Sequence, residues 1–535
     1  MKKKQTASSI WQEYQKGVTY NTRMQIYDTV KKNENFYIGK QWEGLRAPDL
    51  AKPVINVLKR VVSYFISMIV SDDVGATFTP FQKSDRLERE AKILSDQVEQ
   101  VIEQADVKAL SREALRDAAV DGDGCLYFYF DPDAESGQEA RGRICAELLP
   151  NTSVYFGNPY DAQVQAQPYI ILAMRKTLEA VREEARELGV SKAETAAIVP
   201  DEDRNRYDPS GGEDDALVTV LLKFWRQDGE IWAAKATHDV MLREPWSTGY
   251  TRYPLAMLPW EKMKNAYHGV SAISAMIPNQ IAINQLFAMA IHHVKTMAFP
   301  KVIYDASKIP NWSNKVGQAI GTIGNPNDAV ATGFRAPDMS AQVLELIERL
   351  TQKTLEFMGA SDAALGNVQP NNTSAIIATQ KASAMPLELQ RLAFYRFTEE
   401  YVRIIVDMIR EDYGLRRVNV TEDGVDRSVL FDFSEISDAN LSMQVDVGAA
   451  TYWSELMQIQ TMDNLFTKGI ITDAITYLEG VPDRYIRGKG KILDKLREAQ
   501  QQAEAQQNQP ALPQGQAGEM MATQDGAAAM MPAAQ

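Results

Sequence analysis

The chain has 535 residues, a formal net charge of −14 and a pI near 5.0, with 45% hydrophobic and 24% charged residues. That length exceeds a usual single domain, so more than one packed unit is expected, and the apolar share supports a large core. The acidic balance excludes a protein that wraps nucleic acid by neutralising phosphates, but not one past which DNA slides, because an acidic wall repels the duplex.

Residues 1–45 read as helical and amphipathic, with Trp11, Tyr14, Val18, Met24, Tyr27 and Val30 apolar among Lys and Gln. The positive start MKKKQTASSIWQEYQK has no apolar stretch behind it, so no signal peptide is expected and a reducing cytosol is predicted. Gly39 should stop the helix, with Phe36, Tyr37 and Trp42 clamping the turn. Pro53 is placed near the first turn of a second apolar helix, PVINVLKRVVSYFISMIV, and VGATFTPF alternates like a strand. Arg86 to Val120 reads as a charged helical pair. It is broken at Asp121-Gly122-Asp123-Gly124 before a hairpin of CLYFYFDPD and ICAELLP. The DGDG run reads as a plain turn rather than a calcium loop, since it lacks the distal Glu and further oxygen ligands. Cys125 and Cys145 fall in these β segments and offer no disulfide framework.

From 151 to 260, short strand signals alternate with one charged helix, LEAVREEARELG, and the polar run EDRNRYDPSGGEDD reads as an exposed loop: an α+β unit. The centre of the chain is Gly269 to Gly414. It opens with a helical run that carries no formal charge between Pro278 and Val294. Asn279, Gln280, Asn284, Gln285 and His292 lie among its apolar residues, with Lys295 beyond. Such a helix is too uncharged for a solvated surface and too polar for lipid, so protein should wall it on most sides. About forty Gly-, Pro- and Asn-rich residues follow, then a second helix, SAQVLELIERLTQKTLEFMG, with Glu345, Glu348 and Lys353. Helices of this length span about 30 Å and could carry the insertion clear of the body. Gly359, Ala360, Ser361, Asp362, Gly366, Asn367, Gln369, Asn371 and Asn372 then make a joint, either a surface loop or a functional one. A long helical run after it should kink near Pro386. Strand signals at VNVTED and SVLFDFSEI lead to short helices after Tyr452. The basic residues Arg487, Lys489, Lys491, Lys495 and Arg497 read as a solvated face, and the Gln/Ala-rich tail as disordered.

No phosphate loop, HExxH, GxSxG or GxGxxG occurs, and the four histidines lack metal-ligand spacing. His292 and His293 are adjacent and point about 100° apart on a helix, which suits packing or lining better than ligation. No cofactor or metal is expected, and the chain does not read as an enzyme. A metal-dependent nucleic-acid hydrolase and a membrane-surface scaffold using the amino-terminal helix stand as the alternatives.

Three stretches carry a resemblance: ENFYIGKQW, HGVSAISAMIPNQIAINQLFAMAIHH and LIERLTQKTLEFMGASDAALGNVQPNNTSAIIATQ. Together, in order and spacing, they resemble the portal proteins (head–tail connectors) of tailed bacteriophages. The resemblance implies a mainly helical α+β portal fold, assembled as a ring of typically twelve subunits at one capsid vertex of the virion. Its wing would be 1–268 with much of 375–450, its stem helices 269–298 and 339–358, and its clip 299–338. A tunnel loop would lie at 359–374, crown helices at 451–504 and a disordered tail at 505–535. It also implies double-stranded DNA in the channel, read without sequence preference. The terminase large subunit would dock on the clip, followed by head-completion adaptor or tail proteins, with the major capsid protein and possibly a scaffold around the ring. Lys301, Lys308, Trp312, Lys315 and Arg335 are the clip candidates for such contacts. No membrane partner is implied.

Overall fold

The structure, a computed structural model, describes residues 5–48, 50–70, 74–81, 84–136, 140–201, 216–298, 301–313, 315, 317–328, 331–334, 341–360, 385–422, 425–436 and 441–447. It further describes 459, 461–471, 473–481, 486, 489, 492–493 and 495–497. Two units result, Met1–Gly448 and Ala449–Gln535.

In the larger unit the amino-terminal segment is two helices, α1 (Ala7–Arg23) and α2 (Ile26–Ile38), not the single one predicted. Thr6 and Ser9 close a capping box at the start of α1. The break falls at Gln25, whose φ of 55° lies in the left-handed region and cannot continue a helix. Gly39, at φ 94°, ends α2 as expected, and Trp42 Nε1 donates to Pro53 O at 2.8 Å across the turn. Helix α3 (Val57–Ile69) is capped by Asn56, whose side chain accepts from Lys59 N, so Pro53 lies ahead of the helix rather than in its first turn. Strand β1 (Val74–Pro80) and the amphipathic pair α4 (Asp85–Gln104) and α5 (Val107–Asp121) follow.

Strands β2 (Asp123–Asp131) and β3 (Arg143–Leu149) form the predicted hairpin, and β4 (Val154–Phe156) and β5 (Tyr169–Thr177) begin the next sheet. Helices α6 (Leu178–Glu187) and α7 (Lys192–Ala197) interrupt it before β6 (Leu217–Gln227), β7 (Glu230–Ala236) and β8 (Met241–Ser247). The order β4-β5-β6-β7-β8 is antiparallel throughout, while β9 (Leu255–Pro259) joins the hairpin as β3-β2-β9. Short strands β10 (Glu261–Lys262) and β11 (Gly269–Val270) lead to α8 (Ile277–Ala298). The predicted helix over 269–298 thus starts eight residues late. Gly269 and Val270 pair as a strand, Ser274–Met276 is a 3-10 turn, and Pro278 sits in the first turn of α8.

Beyond α8, β12 (Lys301–Tyr304) pairs with β13 (Ala331–Phe334), and α9 (Ala341–Phe357) returns. Pro386 lies in a 3-10 turn, Met385–Leu387, directly before α10 (Glu388–Asp412). Residues 361–384, ahead of this turn and holding most of the stretch where a kink is expected, lie outside the described residues. Helix α10 is the spine of the core. Its Phe394, Phe397, Tyr401, Val402 and Ile405 join one buried cluster with Phe128 of β2 and Leu115 of α5. Strands β14 (Leu415–Glu422) and β15 (Val425–Asp432) form a hairpin, and β16 (Leu441–Val447) returns to pair with β1. The architecture is α+β, as expected.

The smaller unit contains a helical stretch at 461–467 and α11 (Ala474–Glu479), capped by Asp473. There Lys489 is buried and donates to Val481 O at 2.7 Å, so it is not part of a solvated basic face. Arg487, Lys491 and the tail 498–535 lie outside the described residues.

Candidate functional site: an arm and its root

Helices α8 and α9 pack together and carry the β12–β13 hairpin between them. Asn279 Nδ2 donates to Thr354 Oγ1 at 3.3 Å, the cross-link between the two helices. The carboxamides that made α8 conspicuous in sequence have divergent fates. Gln280 is fully buried and Asn284 nearly so. Gln280 Oε1 accepts from Val57 N at 3.0 Å, and its Nε2 donates to Ile55 O at 2.6 Å and to Asn284 Oδ1 at 3.1 Å. Asn284 Oδ1 accepts from Ile55 N at 3.2 Å, and its Nδ2 donates to Gln41 Oε1 at 2.5 Å. These two amides satisfy the backbone where the chain enters α3, and so lock the arm to the body of the chain. Gln285, His292 and Lys295 are exposed. On α9, Glu345 pairs with Arg349 at 2.7 Å, Lys353 pairs with Glu356 at 2.5 Å, and Glu348 is exposed.

Apolar side chains of the arm also reach solvent. Met289 is 59% and Val294 56% exposed on α8, and Leu344 is 49% and Leu346 53% exposed on α9. Within one chain, then, the arm leaves apolar side chains of both helices uncovered.

At the tip, Trp312 stacks on Tyr304 with ring centres 5.4 Å apart, and Lys308 Nζ donates to Asp328 O at 3.0 Å. Asp305 is held below the usual carboxylate range, first by the Ser307 hydroxyl and then by the Ser307 amide. Lys315 is exposed; Lys301 opens β12, and Arg335 lies outside the described residues. Gly359, at φ 77°, ends α9, and Ala360 is buried behind it. Ser361, Asp362, Gly366, Asn367, Gln369, Asn371 and Asn372 lie outside the described residues.

The root of the arm is a set of long-range contacts that no local pattern announces. The end of α5 grips residues 268–274: Ser271 Oγ and Ala272 N donate to Ala119 O at 3.1 and 2.9 Å. Asn33 Nδ2 donates to Val120 O at 2.7 Å and to Ser274 Oγ at 2.8 Å. Gly122, at φ +105°, runs so close to Gly269 that a Cβ on it would lie 2.6 Å from Gly269 O. Asp123 Oδ1 accepts from Gly269 N at 2.7 Å and Oδ2 faces His268 Nδ1 at 2.8 Å, so the DGDG carboxylate belongs to this joint. Beside it, Arg116 pairs with Glu34 and, at 2.6 Å, with Asp117. Asp121, next to them, is held up to about 9 by burial and by the charges of Glu34 and Asp117.

Residues 182–535, more than half of the chain, match the family model described as Phage P22-like portal protein. This chain belongs to that portal family. The match takes in the arm, the tip hairpin and all that follows; ENFYIGKQW at the amino terminus lies outside it. No curated protein matches the chain. The portal family is one of structural proteins, and neither the hydrolase nor the membrane-scaffold alternative gains support from it. No helix among the described residues of this portal chain is long and apolar enough to cross a membrane.

Proposed function

We propose that copies of this portal chain stand side by side in a closed ring, a dodecamer, at one vertex of the phage capsid. Double-stranded DNA passes through its centre during packaging and ejection. The observation that carries this reading, beside family membership, is the arm. Its buried amides are spent within the subunit, while Met289, Val294, Leu344 and Leu346 face solvent on both helices. A single chain leaves that surface uncovered, and head-to-tail contacts close into a ring when the rotation permits. In the ring, 1–268 with 375–450 makes the wing, 269–298 and 339–358 the stem, 299–338 the clip, 359–374 the tunnel loop and 451–504 the crown. The terminase large subunit docks on the clip around Trp312, Lys308 and Lys315, and adaptor proteins succeed it. The major capsid protein, with or without scaffold, surrounds the wing. A net charge of −14 per chain suits a conduit from which DNA must be released.

Mass photometry and particle images of the purified chain test this. The wild type should form rings near twelve copies, and Met289→Glu with Leu344→Glu should give folded monomers. A wild type that stays monomeric at every concentration, or a double variant that still closes rings, overturns the reading.

A further inference from the structure

At the root, one histidine is buried with acceptors at both ring nitrogens. His268 is 2% exposed; its Nδ1 lies 2.8 Å from Asp123 Oδ2 and its Nε2 lies 3.2 Å from Asn21 Oδ1. Asn21, in the last turns of α1, is fully buried, and its Nδ2 meets no acceptor among the described residues. Tyr267 Oη lies 3.1 Å from both Asn21 Oδ1 and Val154 O, yet a hydroxyl donates to only one of them at a time.

Two bonding patterns are open to this cluster. In one, the imidazole carries both protons: Nδ1–H donates to Asp123 and Nε2–H donates to Asn21 Oδ1. In the other, the ring is neutral with its proton on Nδ1. The Asn21 amide is then turned by 180°, so that Nδ2 donates to His268 Nε2 and to Tyr267 Oη, and the hydroxyl donates to Val154 O. The first pattern leaves both N–H of the buried Asn21 amide unpaired but gains a charge-assisted bond; the second leaves only a carbonyl oxygen unpaired. We propose that His268 is the positioning residue of the arm's root, and that its second proton switches the Asn21 amide between donor and acceptor, so that α1 grips the root more tightly when the ring is charged.

The charged surroundings leave Asp123 as the counter-ion, since Arg116 is already paired with Glu34 and Asp117. From α5, Asp121 is held up to about 9 and Asp117 up to about 6, each chiefly by burial. From α1, β4 and the arm's own lead-in, burial pushes up the phenols of Tyr20, Tyr155 and Tyr267. It does the same to the Cys125 thiol of β2. Tyr27 of α2 bonds Tyr155, and Arg23 sits exposed at the end of α1. Of these surrounding groups, Asp117 is the one held near the range in which a free imidazole titrates.

Hydrogen exchange read by mass spectrometry on the full-length protein, at about pH 8 and about pH 5.5 with intrinsic rates divided out, tests the switch. In the wild type, peptides holding Tyr20–Arg23 and Tyr267–Ser274 should exchange roughly threefold or more slowly at the lower pH. Asn21→Leu, which can neither donate nor accept but leaves Asp117 untouched, should abolish that difference. Asn21→Asp, an acceptor in either state, should carry the slow exchange up to about pH 8. A pH difference that survives Asn21→Leu, or an Asn21→Asp that exchanges like wild type at the higher pH, overturns the proposal. Should Asn21→Leu not fold, the 13C-labelled ring signal of His268 decides, identified among four histidines by its loss in His268→Gln. A signal that stays fixed across the range overturns it as well. The switch resides in one chain, so its failure would leave the ring reading standing, and a monomeric wild type would leave the switch standing.

Discussion

At the root of the arm the backbone at Ala119, Val120 and Gly269 is met by polar groups from within the chain, whereas along the shaft apolar side chains are left to solvent. Gln280 and Asn284 are buried and bonded to backbone at Ile55 and Val57, two turns from the exposed Met289 on the same helix. One helix therefore does two jobs along its length. Its first half completes the fold of its own chain, and its second half leaves an apolar surface that, in the proposed ring, a second copy would cover. Changes at the root should cost stability in a single chain, and changes on the shaft should cost assembly alone.

The largest effect is expected at Gly122. Alanine there would force φ +105° on a residue with a Cβ and drive that Cβ to 2.6 Å from Gly269 O. Strain and clash fall on backbone that also anchors Asp123 and Trp260, so no side chain can yield. Gly122→Ala should lose at least about 3 kcal/mol in denaturant unfolding. A loss under about 1 kcal/mol would mean that the α5–β11 contact is not rigid.

Gln280→Leu keeps bulk but removes the carboxamide that bridges Val57 N and Ile55 O, leaving those two groups only their own bond at 2.9 Å. A loss of about 1–3 kcal/mol is expected, because the Gln280 bonds to Val57 N, Ile55 O and Asn284 Oδ1 all go. Gln280→Glu, which still accepts from Val57 N, should fall between wild type and Gln280→Leu. Equal losses in the two variants would show that the donor to Ile55 O carries the whole contact.

Local grammar explains what was legible before the structure. Gly39 as a helix end, the β2–β3 hairpin, and α9 read directly from turn residues and periodicity. Protein walls the uncharged α8 at Gln280, Ile283 and Asn284 but not at Gln285, Met289, His292, Val294 and Lys295, and sequence could not say which wall would meet it. Gln280 meets Val57 across 223 positions, and His268 meets Asn21 across 247. No periodicity spans such separations, and a Gln that locks a subunit looks the same as one that faces a neighbour. Gln25 shows the same limit at short range: nothing in Met24-Gln25-Ile26 announces a left-handed residue, so one helix was read where packing on two faces demands two. Lys489 failed for a related reason, because a buried lysine needs only one carbonyl in reach and that carbonyl, Val481 O, belongs to a turn.

The smallest effect expected on a single chain is the most diagnostic of the root's electrostatics. Asp121 Oδ1 is buried without a partner among the described residues, and the carboxyl is held up to about 9, first by burial and then by Glu34 and Asp117. In the unfolded chain the same group ionises near about 4. Between these values the folded state binds the extra proton, so stability falls as pH rises from about 4 to about 9. Asp121→Asn removes that titration while keeping the shape. It should stabilise by about 1–2 kcal/mol at about pH 7.5, and the gain should shrink to nothing near pH 4, where the folded and unfolded wild type hold the proton alike. Asp412 provides the contrast: burial holds it up to about 6, so its share of the slope ends there and leaves the upper half of the window to Asp121. Unfolding free energies measured at unit steps of pH separate the two. A gain from Asp121→Asn that is the same at pH 4 and pH 8 would place its cause in packing, and the root would then owe nothing to the proton that Asp121 keeps.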